Sequence, residues 1–364
     1  MREMSNGRSQ AAGRGARWWT GTRPYRPVLL LLIALVIVGG TTQSAFLTWG
    51  NIQNLLASQA LLWIVAMGMT FVLLSGGLDL SVAAVSTFTG VLLAKLLSAG
   101  VPAVVLVVLV VIAGAVIGGV LNGLLIARWN LSPFIVTLAS MTALTGVVQL
   151  WSNAASFPVN DNFILNLGVN KLAGVQIPIW FMAGAFAVAL YAQKWTYFGR
   201  DVYAIGGNAI AARLSGIYIS RTLVWIYAIT GAAAALGGVI AVGRIGAASP
   251  QVDPTLPLEA IAAVVLGGTA LNGGAGGVVG TALGVLFIGG LENLLSVAGV
   301  SQAWQQVFTG VILVVAVRQY RSKRRVVSSD GTASGAAEPP AEPAQHEVTA
   351  VTSTGVCVAP PSVN

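Results

Sequence analysis

Charge is what this sequence has least of. Charged residues make up 8% of its 364 positions, whereas a soluble globular domain carries about 25%. So little charge cannot cover a water-facing surface, and most of this surface therefore faces lipid. The remaining composition agrees, with 56% hydrophobic residues and a mean hydropathy of +0.82. Regular stretches of alternating polarity are also lacking, which favours helices over a barrel as the spanning elements. Cysteine and histidine occur once each, as Cys357 and His346, both near the C-terminus. A disulfide within the chain is excluded, and no metal site of the His/Cys kind can be assembled. There are four lysines, Lys95, Lys171, Lys194 and Lys323, and none follows a glycine. The Gly-x-x-x-x-Gly-Lys-[Ser/Thr] phosphate loop is thus missing. If ATP drives this protein, another polypeptide hydrolyses it. The net charge of +8 reads as basic loops beside a membrane rather than as affinity for nucleic acid.

What is present is a series of apolar runs. Residues 1–27 are basic and polar, with Arg2, Arg8, Arg14, Arg17, Arg23 and Arg26 against Glu3, and are expected to be disordered. The apolar run from Val28 is read as a retained first span, not a cleaved signal. Further spans are expected near 55–74, 79–99, 103–127, 132–152, 177–194, 222–243, 257–271, 276–297 and 303–318, about ten in all. The Gly-rich stretches 75–80 and 271–277 read as tight turns between paired spans. Residues 28–320 thus form a transmembrane domain, and 321–364, rich in Ser, Ala, Pro, Glu and Thr, a disordered tail. Trp18, Trp19 and Trp195 read as interfacial anchors. An even span count puts both termini on one side. Sixteen of the nineteen basic residues then share that side, and only Lys95, Lys171 and Arg244 fall opposite. That bias makes both termini cytoplasmic.

Acidic residues inside the apolar region are Asp79, Glu259 and Glu292. Asp79, in Ser75-Gly-Gly-Leu-Asp-Leu-Ser81, reads as a turn residue capping the next helix rather than as an ion ligand. Glu259 follows Pro257 and suits a helix start, where the dipole favours an anion. Glu292, beside Asn293, is the one fair candidate for a proton site, and so for the alternative reading of a stand-alone proton-coupled sugar carrier. An intramembrane enzyme has no nucleophile–base pair to work with. The polar residues Asn122, Thr137, Ser140, Thr142, Gln149 and Asn153, with Trp151 as an aromatic face and Asn293 further along, suit either a polyol pathway or hydrogen bonding between helices. Gly114 and Gly118, and Gly276, Gly280 and Gly284, have the spacing that lets helices approach closely, within the bundle or across a dimer.

The longest polar interruption is Tyr197–Arg221. Asn208 can cap a helix over Ala209–Leu214, and Gly216 can close it in a left-handed conformation. Ile210 and Leu214 lie one turn apart on one face, flanked by Arg200, Arg213 and Arg221. Such a helix reads either as a docking element or as a well-formed connection.

Three motifs carry a resemblance. They are Gly76-Gly77-Leu78-Asp79-Leu80-Ser81-Val82; Phe198-Gly199-Arg200-Asp201-Val202-Tyr203-Ala204-Ile205-Gly206-Gly207-Asn208 with Ala211-Ala212-Arg213-Leu214-Ser215-Gly216-Ile217; and Leu258-Glu259-Ala260-Ile261-Ala262-Ala263-Val264-Val265-Leu266-Gly267-Gly268-Thr269. With them the chain resembles the permease subunits of bacterial ATP-binding-cassette importers for monosaccharides, of the ribose type. The resemblance implies an all-α polytopic inner-membrane permease that pairs with a second permease copy. It also implies a cytoplasmic ATPase with tandem nucleotide-binding domains, and a periplasmic or lipid-anchored sugar-binding protein. ATP and Mg would sit on the ATPase, and this chain would bind no cofactor. Asn208–Gly216 would be the helix that couples to the ATPase. Three departures stand out: Ala83 where the family usually has Gly, Ala209-Ile210 where it commonly has an acidic pair, and Glu292 where it often has Asn.

Overall fold

A computed structural model describes residues 25–301, 303–305, 307, 308, 310 and 311. The tail 321–364 and nearly all of 1–27, with Trp18, Trp19, His346 and Cys357, lie outside the described residues. In chain order the helices are α1 (Arg26–Thr42), α2 (Trp49–Ser58), α3 (Ala60–Leu74), α4 (Val82–Ser98) and α5 (Ala103–Val116). A π-helical segment, Ile117–Gly123, leads into α6 (Leu124–Trp129), followed by α7 (Pro133–Ser152), α8 (Asn162–Val169), α9 (Ile177–Trp195) and α10 (Tyr197–Gly207). Then come α11 (Ala209–Leu214), α12 (Ile219–Ile245), α13 (Leu256–Leu266) and α14 (Val278–Val297). Four two-residue strands make two antiparallel ties, β1 (Phe157–Pro158) to β4 (Ala247–Ala248) and β2 (Lys171–Leu172) to β3 (Val175–Gln176). The fold is all-α and polytopic.

Among the described residues, five helices are long and apolar enough to cross a membrane. The bent pair α2–α3, which turns through 50° at Gln59, makes a sixth. Three shorter apolar helices, α1, α4 and α13, stand where three more spans are expected. The last expected span, 303–318, falls largely outside the described residues, so a count of ten is not established. Two expected boundaries move for physical reasons. α4 begins at Val82 rather than 79, because Asp79 accepts the Ser81 N–H and holds the chain in a turn. α13 has only 11 residues, about 16 Å at 1.5 Å per residue against a hydrocarbon core of about 30 Å. Gly267 and Gly268, the latter at φ +91°, end it.

The 27-residue α12 is the post around which the bundle packs, touching α3, α4, α5, the π segment and α8. Small residues make that possible. A Cβ on Gly114 would lie 2.6 Å from Ala235 Cβ, and one on Gly118 would enter the Tyr227 backbone. Similarly, Gly280 lies against the Gly267 backbone and Gly284 against Ala263. Both glycine stripes therefore serve packing within the chain. Overpacking costs about 1–3 kcal/mol even where side chains can shift, and here the obstruction is backbone. Gly118→Leu is expected to lower the melting temperature of the purified protein by several degrees. Gly184→Leu, where nothing lies within 4 Å, is expected to leave it unchanged.

Candidate coupling surface and polar interior

The segment Tyr197–Arg221 forms two helices rather than one. α10 is capped by Thr196, whose Oγ1 accepts the Gly199 N–H at 3.2 Å. It buries Gly199, Val202 and Ile205 on one face, and Phe198 packs against Phe71 of α3 with ring centroids 5.5 Å apart. This helix was not anticipated. Its signals were present in Thr196 and in the spacing of Phe198, Val202 and Ile205. α11 follows as expected. Asn208 Oδ1 accepts the N–H groups of Ile210 and Ala211, each at 3.0 Å. Gly216, at φ +84°, closes the helix, and the Ile217 N–H returns to the Ala212 carbonyl at 3.1 Å. Ala212 faces inward, whereas Ile210 is 75% and Leu214 85% exposed. Arg213 is exposed beside them, and Arg200 lies 4.2 Å over the Tyr197 ring.

The C-terminal end of α10 is locked onto both glycine-rich turns. The Gly274 N–H donates to the Leu74 carbonyl at 2.9 Å, which joins the turn after α3 to the turn before α14. Gly206 sits at that junction, where a Cβ would lie 2.6 Å from the Gly274 nitrogen. Beside it, the Tyr203 hydroxyl donates to the Gly276 carbonyl at 2.6 Å and accepts from Gln193 Nε2 at 2.5 Å. Gln193 Oε1 in turn accepts the Val278 N–H at 2.9 Å. Burial pushes the Tyr203 hydroxyl above the usual tyrosine range, against the hydrogen bond from Gln193, so it stays a neutral donor. The C-terminal end of α10, which leads into α11, is thereby tied to the ends of α3, α9 and α14 together.

The first motif forms a buried polar turn. Gly76 takes φ +82°, and a Cβ on Gly77 would stand 2.7 Å from the Tyr227 hydroxyl. Asp79 Oδ1 accepts from the Ser81 N–H at 2.9 Å and the Ser81 hydroxyl at 2.6 Å. Asn122 Nδ2 donates to Ser81 Oγ at 2.8 Å, and the Ser140 hydroxyl donates to Asn122 Oδ1. The π segment, whose hydrogen bonds close one residue later than those of an α-helix, carries Asn122 to this point. So α4, the π segment and α7 are tied by one chain of hydrogen bonds.

The other proposed pathway residues do not join it. Thr137 bonds its own helix at the Pro133 carbonyl, 2.8 Å away, and Gln149 is exposed. Asn293 forms a reciprocal pair with Asn51, at 2.7 and 3.1 Å. Glu292 accepts from Gln59 Nε2 at 3.0 Å, and Glu259 stands in the first turn of α13. No group of three or more potential metal ligands occurs among the described residues.

A cavity of about 220 Å³ at the other end of the bundle went unnoticed in the sequence. It lies between α4, the end of α12 and the irregular chain that leads from β4 into α13. Thr87, Ser249, Gln251 and Asp253 give it polar walls.

The chain is thus a multi-pass helical bundle whose glycine-rich turns pack against α10, beside the exposed, capped α11. The family model described as "Branched-chain amino acid transport system / permease component" matches residues 51–317. The chain belongs to this permease family. It is 38% identical to the ribose import permease protein of Escherichia coli strain K12, over 79% of this chain and 91% of that one. It is 43% identical to the ribose import permease protein of Bacillus subtilis strain 168, over 80% and 91%. With the L-arabinose ABC transporter permease protein of Azospirillum brasilense it shares 34%, over 86% and 93%. No solved structure matches the chain.

Proposed function

We propose that this chain is the membrane subunit of an ATP-driven importer and passes a monosaccharide into the cytoplasm. Residues 28–320 form the transport domain, with 1–27 and 321–364 as flanking cytoplasmic segments. Two copies line the pathway. An ATPase with tandem nucleotide-binding domains, which holds the ATP and Mg, docks on α11. A sugar-binding protein delivers substrate from the opposite side. The observation that carries this reading is the exposed Ile210–Leu214 pair on a capped helix whose base, through Gly206 and Tyr203, grips both glycine turns. An apolar pair left in water on so rigid a mount suits a partner's groove. The similarity to ribose and arabinose permeases supports the sugar class. In that frame Arg200 and Arg213 meet carboxylates of the ATPase.

The test is uptake into proteoliposomes that contain permease and ATPase, with binding protein supplied outside. Accumulation of a pentose or hexose that needs ATP and survives collapse of the proton gradient is expected. Because Glu292 has its hydrogen bond from Gln59, which glutamine can also accept, Glu292→Gln is expected to keep uptake within about twofold. Accumulation driven by a proton gradient alone, and lost in Glu292→Gln, would overturn the reading.

A further inference from the structure

The broken span α2–α3 is two pieces held in different ways. All of α3 except Leu61 is buried. Its Trp63 Nε1 donates to the Met182 carbonyl of α9 at 3.0 Å, and its Thr70 hydroxyl lies 2.8 Å from that of Thr281 on α14. Its last residue, Leu74, is bound into the glycine turns beside α10. By contrast, α2 buries only Gln53 and Ala57. Segments with so little buried apolar surface are the ones that open most easily. Three amides, Asn51, Gln53 and Asn54, hold α2 in place instead.

Those amides reach in two directions. On one side Asn51 pairs with Asn293 of α14, and Gln59, at the break, donates to Glu292. The Gln59 side chain lies over Gly289, where a Cβ would stand 2.4 Å from its Cγ. On the other side Gln53 Nε2 donates to the Gly174 carbonyl at 3.0 Å, and Asn54 Oδ1 accepts from Gln176 Nε2 at 2.9 Å, both in the β2–β3 hairpin. Polar links between helices contribute little each, because the same groups find other partners once parted. Gln53 is 2% exposed, yet among the described residues no donor reaches its Oε1. A buried acceptor without a donor disfavours the arrangement that buries it, so this position of α2 carries a cost that hydration of Gln53 would remove. The break supplies a hinge. Gln59 leaves helical geometry at φ −84° and ψ 2°, and its N–H is shared between the Leu55 and Leu56 carbonyls at 3.1 and 3.2 Å. The helical ladder then resumes at once, with the Trp63 N–H on the Gln59 carbonyl at 2.8 Å.

We propose that α2 is a gate at the end of the bundle away from α11. It swings about Gln59 while α3 stays packed, and its amides exchange α14 and the hairpin for water. The swing opens the space between α14 and the hairpin, and the structure holds the gate in its clamped position. Gln53, buried with its carbonyl unmet, sets how readily the clamp releases. This inference rests on the transport reading above and not on which solute moves.

The experiment uses the complete complex in proteoliposomes, with Cys357→Ser to remove the only thiol. Uptake without any added tie comes first. Uptake driven by a proton gradient alone would overturn the importer reading, and the ties would still report on α2. Asn54→Cys with Gln176→Cys, and Asn51→Cys with Asn293→Cys, are each joined by a short bifunctional methanethiosulfonate. Each tie is expected to lower uptake about tenfold or more, as for a clamped lid, and a reducing agent should restore it. Lys171→Cys with Gln176→Cys, a cross-strand pair within the hairpin itself, should be joined without effect. Separately, Gln53→Cys is expected to react with an external thiol reagent about tenfold faster during ATP turnover than at rest, as for a site exposed by local opening. Uptake that is unchanged with either tie complete overturns the gate. So does a Gln53→Cys that reacts equally slowly in both conditions.

Discussion

Replacing Leu214 with aspartate is expected to abolish ATP-driven uptake while leaving the bundle folded. Leu214 is 85% exposed and Ile210 75%, so neither contributes to the protein's own core, and the melting temperature should not change. In the assembly proposed here the two side chains enter an apolar groove of the ATPase. A carboxylate placed there is desolvated without a partner. Central apolar contacts of this kind are worth about 2 kcal/mol or more, which corresponds to about a 30-fold weaker association. The ATPase should be lost from pull-downs at micromolar concentration. Arg213→Ala gives the contrast. A rim charge acts mainly on association rate and salt dependence, so a few-fold loss that disappears at high salt is expected. If Leu214→Asp retains the ATPase and transports at the wild-type rate, α11 is only a connection between helices.

The second large effect concerns Asp79. It is buried, and its Oδ1 accepts two hydrogen bonds from Ser81. Asp79→Ala leaves the Ser81 N–H and hydroxyl without that acceptor in a site closed to water. Each buried unsatisfied group costs about 1–3 kcal/mol, so a destabilisation of about 2–5 kcal/mol is expected, read as a lower melting temperature in detergent. Asn122 should loosen with it, because its Nδ2 donates to Ser81 Oγ. Asp79→Asn keeps an oxygen for both hydrogen bonds and should cost far less. Should asparagine prove as damaging as alanine, the carboxylate's charge would be the important property, and a turn-capping role would not explain it.

What could be read from the sequence was local. The cap at Asn208 and the left-handed closure at Gly216 are written in adjacent residues, so α11 was legible to the residue. Asp79 was legible as a turn residue, since its carboxylate accepts the Ser81 N–H two residues on, but it does not cap α4 as expected: Ser81 holds the cap position and no side chain caps that helix. Apolar runs of about 20 residues located most spans. What could not be read depends on how helices meet. The link from Ser81 to Asn122 joins positions 41 residues apart, and that from Tyr203 to Gly276 joins positions 73 apart. Both need the register of packed helices, which no local pattern encodes. The π segment is equally hidden, since Ile117–Gly123 looks like any apolar run with glycines. α10 was overlooked because its charges masked an apolar stripe of only three residues. The neutral polar residues were grouped by type, and the structure separates them by partner. Asn122 and Ser140 prove to be joined to each other.

Cysteine labelling at Ile210 tests the coupling assignment most directly. Cys357 is the only cysteine, so Cys357→Ser gives a background without thiols into which Ile210→Cys can be introduced. A membrane-impermeant maleimide should then label inside-out vesicles and not right-side-out ones, and bound ATPase should block the reaction. Labelling from the outside alone, or labelling that is equally fast with and without the ATPase, would contradict the account.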